Sequence, residues 1–198
     1  MKYKRLILMV FMMINSLVKA EEQSRILFTF DKPDAPKTWQ TVNDGVMGGR
    51  SDGRFKINAD GNMEFYGTLS LENNGGFASV RSIGTKLDLM KGDVLLARIR
   101  GDGREYSLNL YTPRRRTAFS YRSPFTTKKD QWTEVELPLD KFVATSFGRI
   151  VPNQTLDPSE VNGIGVLLGD DKAGPFKLEI EWIKVKRGSK LAEKDSEE

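Results

Sequence analysis

Gly101-Asp-Gly-Arg-Glu-Tyr-Ser-Leu-Asn-Leu-Tyr111 reads as a tight bend running straight into a half-buried strand. Gly101 and Gly103 suit a backbone that must turn with positive φ or approach a neighbour closely. From Glu105 onward, Tyr106, Leu108 and Leu110 fall on one face, and Glu105, Ser107, Asn109 and Tyr111 on the other. A repeat of two belongs to a β-strand and not to a helix.

The same grammar extends along the chain. Val42-Asn-Asp-Gly-Val-Met-Gly-Gly-Arg-Ser51 and Leu71-Glu-Asn-Asn-Gly-Gly-Phe-Ala-Ser-Val-Arg81 are two further glycine-rich segments between alternating stretches. Strands are expected at Arg25–Phe30, Arg54–Asn58, Asn62–Leu71, Phe77–Ser82, Asp93–Arg100, Ser107–Tyr111, Ala118–Arg122, Thr133–Pro138, Asn162–Leu168 and Phe176–Val185. No window carries a sustained helical stripe; Pro138–Phe142 comes nearest, with one turn at most. Short strands separated by turn signals predict an all-β, two-sheet antiparallel β-sandwich in a single domain.

Alternation also assigns faces. Leu95, Ala97 and Ile99 point inward, and so do Phe119, Tyr121, Ala78 and Val80. If their four strands lie in one sheet, its outer face carries Arg81, Arg98, Arg100, Asn109, Tyr111, Ser120 and Arg122. Guanidinium groups beside an aromatic ring and an amide suit planar polar ligands. The competing expectation is that each arginine pairs with an acid on a wet surface. Trp132 and Trp182, in strand contexts, are expected in the core. Trp39 is expected to anchor its loop, with an aromatic platform for sugar as the alternative. Arg114-Arg-Arg116 reads as a solvated loop, or as a grip for an acidic partner or headgroup.

Composition removes several chemistries. The chain has no histidine and no cysteine, so Ser-His-Asp and Cys-His catalysis, thiolate or imidazole zinc and disulfides are excluded. Gly101-x-Gly103 and Gly163-x-Gly165 lack the third glycine and the strand–turn–helix setting of a dinucleotide site. Acidic residues stand beside glycines in turns, where they commonly hydrogen-bond their own backbone, so no enzyme activity is expected. No cofactor is expected. If the first and last strands lie side by side, Asp31, Asp44 and Glu179 or Glu181 are candidate oxygen ligands for a structural calcium. The favoured alternative is that they are ordinary turn and sheet-edge acids.

Residues 1–20 combine the basic Lys2, Lys4 and Arg5 with an apolar run from Leu6 to Ile14 and Val18-Lys19-Ala20. This pattern predicts a signal peptide and an exported, periplasmic or extracellular protein, with a mitochondrial address as the alternative. The run is too short to span a bilayer, and no transmembrane segment is expected in the mature chain. Four of the 31 basic residues lie in this segment, which leaves 27 against 27 acidic residues. A neutral domain lacks the electrostatic footprint of a nucleic-acid binder. The folded domain is expected over 21–186, with a disordered charged tail at 187–198.

Taken together, Trp39, the segment Val42–Ser51, Phe65-Tyr-Gly-Thr-Leu-Ser-Leu71 leading into Asn74–Arg81, and Gly101–Tyr106 resemble the complex I intermediate-associated protein 30 family. Trp132, Val135–Pro138, Phe142, Ile164–Leu168 and Gly174–Ile180 continue the resemblance over nearly the whole mature chain. It implies a galactose-binding-like jelly roll and a non-catalytic, chaperone-like assembly factor with a protein partner, and it supplies no catalytic residues. The alternative is a carbohydrate-binding module that holds a glycan on its concave sheet face. Arg98, Asn109, Tyr111 and Arg122 would serve either role.

Overall fold

The computed structural model describes residues 24–113 and 119–188. The N-terminal segment, most of the charged tail and Arg114-Arg-Arg116 lie outside them. The strands are β1 (Ser24–Thr29), β2 (Trp39–Thr41), β3 (Asp52–Ile57), β4 (Met63–Leu69), β5 (Ala78–Ser82), β6 (Val94–Gly101) and β7 (Glu105–Tyr111). They continue as β8 (Phe119–Thr126), β9 (Trp132–Pro138), β10 (Val143–Ser146), β11 (Arg149–Ile150), β12 (Gly163–Leu168) and β13 (Gly174–Lys186). One sheet has the order β3-β4-β13-β6-β9, with β1 also paired to β13. The other runs β11-β10-β8-β7-β12-β5-β2. All strand pairings are antiparallel.

The core lies between the sheets, where the alternation placed it. Leu95, Ala97 and Ile99 of β6 are buried, as are Tyr106, Leu108 and Leu110 of β7, and they meet Phe65, Tyr121, Ile164, Leu178 and Ile183. Truncating a side chain such as Leu110 there costs about 2–5 kcal/mol, through lost apolar transfer and the cavity left behind.

Three strands escape the sequence reading: β2, β10 and β11. Each has four residues or fewer, too few for a period of two to register. Trp39 is buried as an anchor, its ring centroid 5.1 Å from Phe28 and 5.6 Å from Phe30. Trp132 and Trp182 are corrections. Both are half-buried on the outer face of the six-stranded sheet, because Leu137 in β9 and Ile183 in β13 take the inward positions. There they lie under cations: Arg100 is 5.0 Å from the Trp132 ring centroid and Lys184 is 3.9 Å from that of Trp182.

Candidate functional site

On the seven-stranded sheet the register aligns one residue from each of six strands in a row: Gln40, Arg81, Gly165, Asn109, Arg122 and Val143. Residues directly opposite in an antiparallel ladder share a face, so this row crosses the outer face of the sheet. Gly165 is essential to it. A Cβ built there would stand 2.6 Å from the Val80 carbonyl oxygen and 3.1 Å from Cγ of Arg81. The Arg81 stem therefore passes close over β12, and its guanidinium reaches the Tyr111 ring, 4.9 Å from the centroid. Arg81 Nε donates to Ser79 Oγ at 3.1 Å, and Ser79 Oγ donates to the Val42 carbonyl.

Next to them the polar groups are buried but incompletely satisfied. Asn109 is 1% exposed; its amide meets Ser120 Oγ at 3.3 Å and the Tyr111 hydroxyl at 3.5 Å, and its other polar atom has no partner. Whichever way the amide is turned, one atom is left over. Arg122 Nε is also buried without a partner. Of five such side-chain atoms among the described residues, three (Asn109 Oδ1, Thr112 Oγ1 and Arg122 Nε) lie on or beside β7 and β8, so the deficit is local. Neither Arg81 nor Arg122 has an acidic partner among the described residues. Glu105 shares the face but stands about 13 Å down the strand from Asn109. Burial lowers the Arg122 pKa, Tyr111 opposes it by favouring the charged form, and the nearby Arg81 charge adds a smaller lowering. Burial raises the Tyr111 phenol despite Arg81.

Arg98 and Arg100 do not join this group. Their strand β6 belongs to the other sheet, because alternation reports a side chain's face but not its sheet. Arg98 Nε meets Glu181 at 2.6 Å and Arg100 meets Glu179 at 2.7 Å, so the ion-pair expectation holds for these two. Of the seven predicted residues, Arg81, Asn109, Tyr111, Ser120 and Arg122 come together. Thr145, whose hydroxyl is 3.4 Å from that of Ser120, and the glycine of β12 were missed. The alternation of Gly163 and Gly165 was the available signal; β10 offered none.

The glycine-rich segments that open the sequence reading turn out to be fasteners. Asp44, 0% exposed, accepts from the Ser51 N–H at 2.9 Å, the Ser51 hydroxyl at 2.5 Å, and the N–H groups of Gly76 at 2.7 Å and Phe77 at 3.3 Å. It ties the first segment to the second. A Cβ at Gly75 would stand 2.7 Å from its Oδ2, and one at Gly49 would fall on its carboxyl carbon. In the third segment Asp102 accepts from the Tyr106 hydroxyl at 3.0 Å and the Lys177 N–H at 2.9 Å. Arg104 holds Asp170 through two nitrogens, at 2.6 and 3.1 Å.

These contacts also place the candidate calcium ligands. The structure does not gather Asp31, Asp44 and Glu179. The Asp44 carboxylate is filled by N–H and O–H donors, while Glu179 lies on the six-stranded sheet with Arg100 and Lys177. Glu181 is taken by Arg98. Among the described residues no group of three acidic, histidine or cysteine side chains could hold a metal ion.

Burial alone would raise the carboxyls of Asp44, Asp170, Glu64 and Glu179, but hydrogen bonds and nearby cations outweigh it and hold all four below the usual range. Groups depressed in the folded state contribute stability above their unfolded pKa of about 4 and lose it as pH falls through the folded value. Urea midpoints followed by circular dichroism are expected to hold steady near neutrality and to drop between about pH 5 and pH 2. A flat profile there would mean that these carboxylates do not stabilise the folded domain.

A half-buried cation whose Nε lacks a partner is a burden on the fold. Replacing Arg122 with Leu is expected to stabilise the domain by about 1 kcal/mol, measured by urea unfolding. A loss of stability would show that the guanidinium is already compensated.

Two packed antiparallel sheets in this order make the domain a galactose-binding-like jelly roll. Solved structures agree on the fold. The family 11 carbohydrate-binding module of Clostridium thermocellum, solved with a mixed-linked tetrasaccharide, matches with a TM-score of 0.62 at 16% identity, over 83% of this chain and 96% of that one. A domain of the agarase AgWH50C matches with a TM-score of 0.59 at 10% identity, over 83% of this chain and 24% of that one. The chain belongs to the complex I intermediate-associated protein 30 family, whose model matches residues 28–180. The protein "Complex I intermediate-associated protein 30, mitochondrial" of Mus musculus is 31% identical over 186 residues, covering 83% of this chain and 56% of that protein. Its Drosophila melanogaster namesake is 26% identical over 191 residues, covering 84% and 64%. The chain thus spans about three-fifths of the length of these relatives.

The relatives overturn the expectation of export, since they are named mitochondrial. Secretory and mitochondrial addresses share a basic, acid-poor start, so Lys2, Lys4 and Arg5 did not tell them apart.

Proposed function

We propose that this chain is a non-catalytic binding module that assists assembly of a respiratory complex by holding a polypeptide partner on the outer face of its seven-stranded sheet. The observation that carries the reading is the row Arg81–Asn109–Arg122, buried or half-buried and short of partners, whereas Arg98, Arg100 and Arg104 each meet an acid. Unmet buried polar groups in a folded protein point to something that completes them. Family membership and the relatives' names support the assembly role. A glycan ranks second: the face has a single tyrosine ring, and Arg81 already lies over it. Sugar platforms need an aromatic face left open.

The test is native electrophoresis of cells expressing the tagged chain. Co-migration with partly assembled complex I, and accumulation of those intermediates when the chain is deleted, are the expected results. Migration only as a free domain, with normal assembly after deletion, would overturn the reading.

A further inference from the structure

We propose that the face seats an acidic side chain of the partner polypeptide between Arg81 and Arg122, with apolar partner residues lying against Val143 and Ile150. This rests on the binding reading above and specifies its chemistry. Arg122 Nε is a buried donor with nothing to donate to, and a carboxylate is the acceptor that a guanidinium edge matches best. Arg81 converges from the other side of β12, held over Gly165 and against Tyr111. The two cations act on each other across the face, and Arg81 disfavours the charged form of Arg122. An anion placed between them removes that conflict.

Charge complementarity argues for an acid, and the flank argues for a polypeptide. Val143 pairs with Arg122 and Ile150 with Thr145, so both point to this same face, 45% and 71% exposed. Beyond them Phe147, at the β10–β11 turn, is 67% exposed. Apolar side chains beside a carboxylate pocket fit the mixed surface of a peptide. A uronic acid offers the charge but nothing for the apolar edge.

The probe is a hexapeptide with two adjacent glutamates between valines, capped at both ends, alongside a twin carrying glutamines. Polygalacturonate and inorganic phosphate form the other arms. Each is titrated into the nitrogen-15-labelled full chain, reading the Arg122 Nε–H and Asn109 side-chain NMR signals. The glutamate peptide should shift those signals and those of β10, with the glutamine twin weaker by about tenfold or more. Arg122→Gln and Arg81→Gln, each checked for an unchanged fold by the backbone spectrum, should abolish the effect. Arg98→Gln, on the opposite sheet, should leave it intact. Equal binding of the twin, persistence in both variants, or tighter binding of polygalacturonate or phosphate than of the peptide would overturn the proposal. Loss of peptide binding in the variants together with normal migration of the chain in assembly intermediates supports this chemistry when those variants fail to migrate, and sinks it when they migrate normally. Peptide binding in a chain that never joins an intermediate would support the carboxylate site while removing the assembly role.

Discussion

Asp44→Ala is expected to lower the stability of the domain by about 4 kcal/mol, because four donors lose one buried, ionised acceptor. The loss has two parts. Three backbone N–H groups, of Ser51, Gly76 and Phe77, and the Ser51 hydroxyl lose their acceptor together. Each hydrogen bond to a charged group is worth about 1.5–3 kcal/mol, and their shared acceptor makes the sum less than additive. The space that Gly49 and Gly75 leave for the carboxylate also becomes void. The thermal midpoint of a domain of this size should fall by roughly 10 °C, readable by calorimetry. Asp44→Asn keeps the shape and should recover part of the loss. Near-neutral behaviour of both variants would show that the two segments are held by something else. Because the fastener lies in the loops and not in the Arg81–Arg122 row, residual folded Asp44→Asn protein should retain peptide binding.

The second large effect is expected at Asp170. Its side chain is 6% exposed and takes two hydrogen bonds from Arg104, itself 12% exposed. Arg104 also donates to the carbonyls of Lys172, Gly174 and Pro175, which join the β12–β13 connection to the start of β13. Asp170→Ala leaves a buried guanidinium with neutral acceptors only, a change worth about 3–5 kcal/mol of lost stability. Arg104→Met with Asp170→Leu removes both charges and is expected to recover most of the loss, since apolar replacement of a buried pair is often neutral or better. The comparison of single and double variants in urea separates an uncompensated charge from lost packing. If the double variant is as unstable as the sum of the singles, the carbonyl contacts of Arg104 hold the connection and the ion pair does not.

These two expectations also show where sequence reasoning stopped. Acids beside glycines were read as turn residues, and Asp44 as a candidate calcium ligand. Nothing local reveals that four donors from residues 51, 76 and 77 would converge on Asp44. Proximity between segments so far apart is created by the crossing of strands, not by spacing along the chain. The site was partly legible for the same reason. Asn109 and Tyr111 were assigned to the outer face from alternation within β7, and the structure agrees. That Asn109 is almost fully buried there, with an unsatisfied amide, depends on Ser120, Thr145 and the flanking strands.

The amino-acid sequence alone determined the class of fold, the facing of β5, β6, β7 and β8 and the places where the backbone bends. Side-chain alternation and glycine φ preferences are properties of neighbouring residues, so they can be read without knowing the partners. Only the tertiary structure decided which strands share a sheet. That choice separates Arg98 and Arg100, neutralised by Glu181 and Glu179, from Arg81 and Arg122, which have no acidic partner among the described residues. Four arginines with the same local pattern thereby acquire two electrostatic fates, because charge compensation is set by neighbours across the ladder and not along the chain.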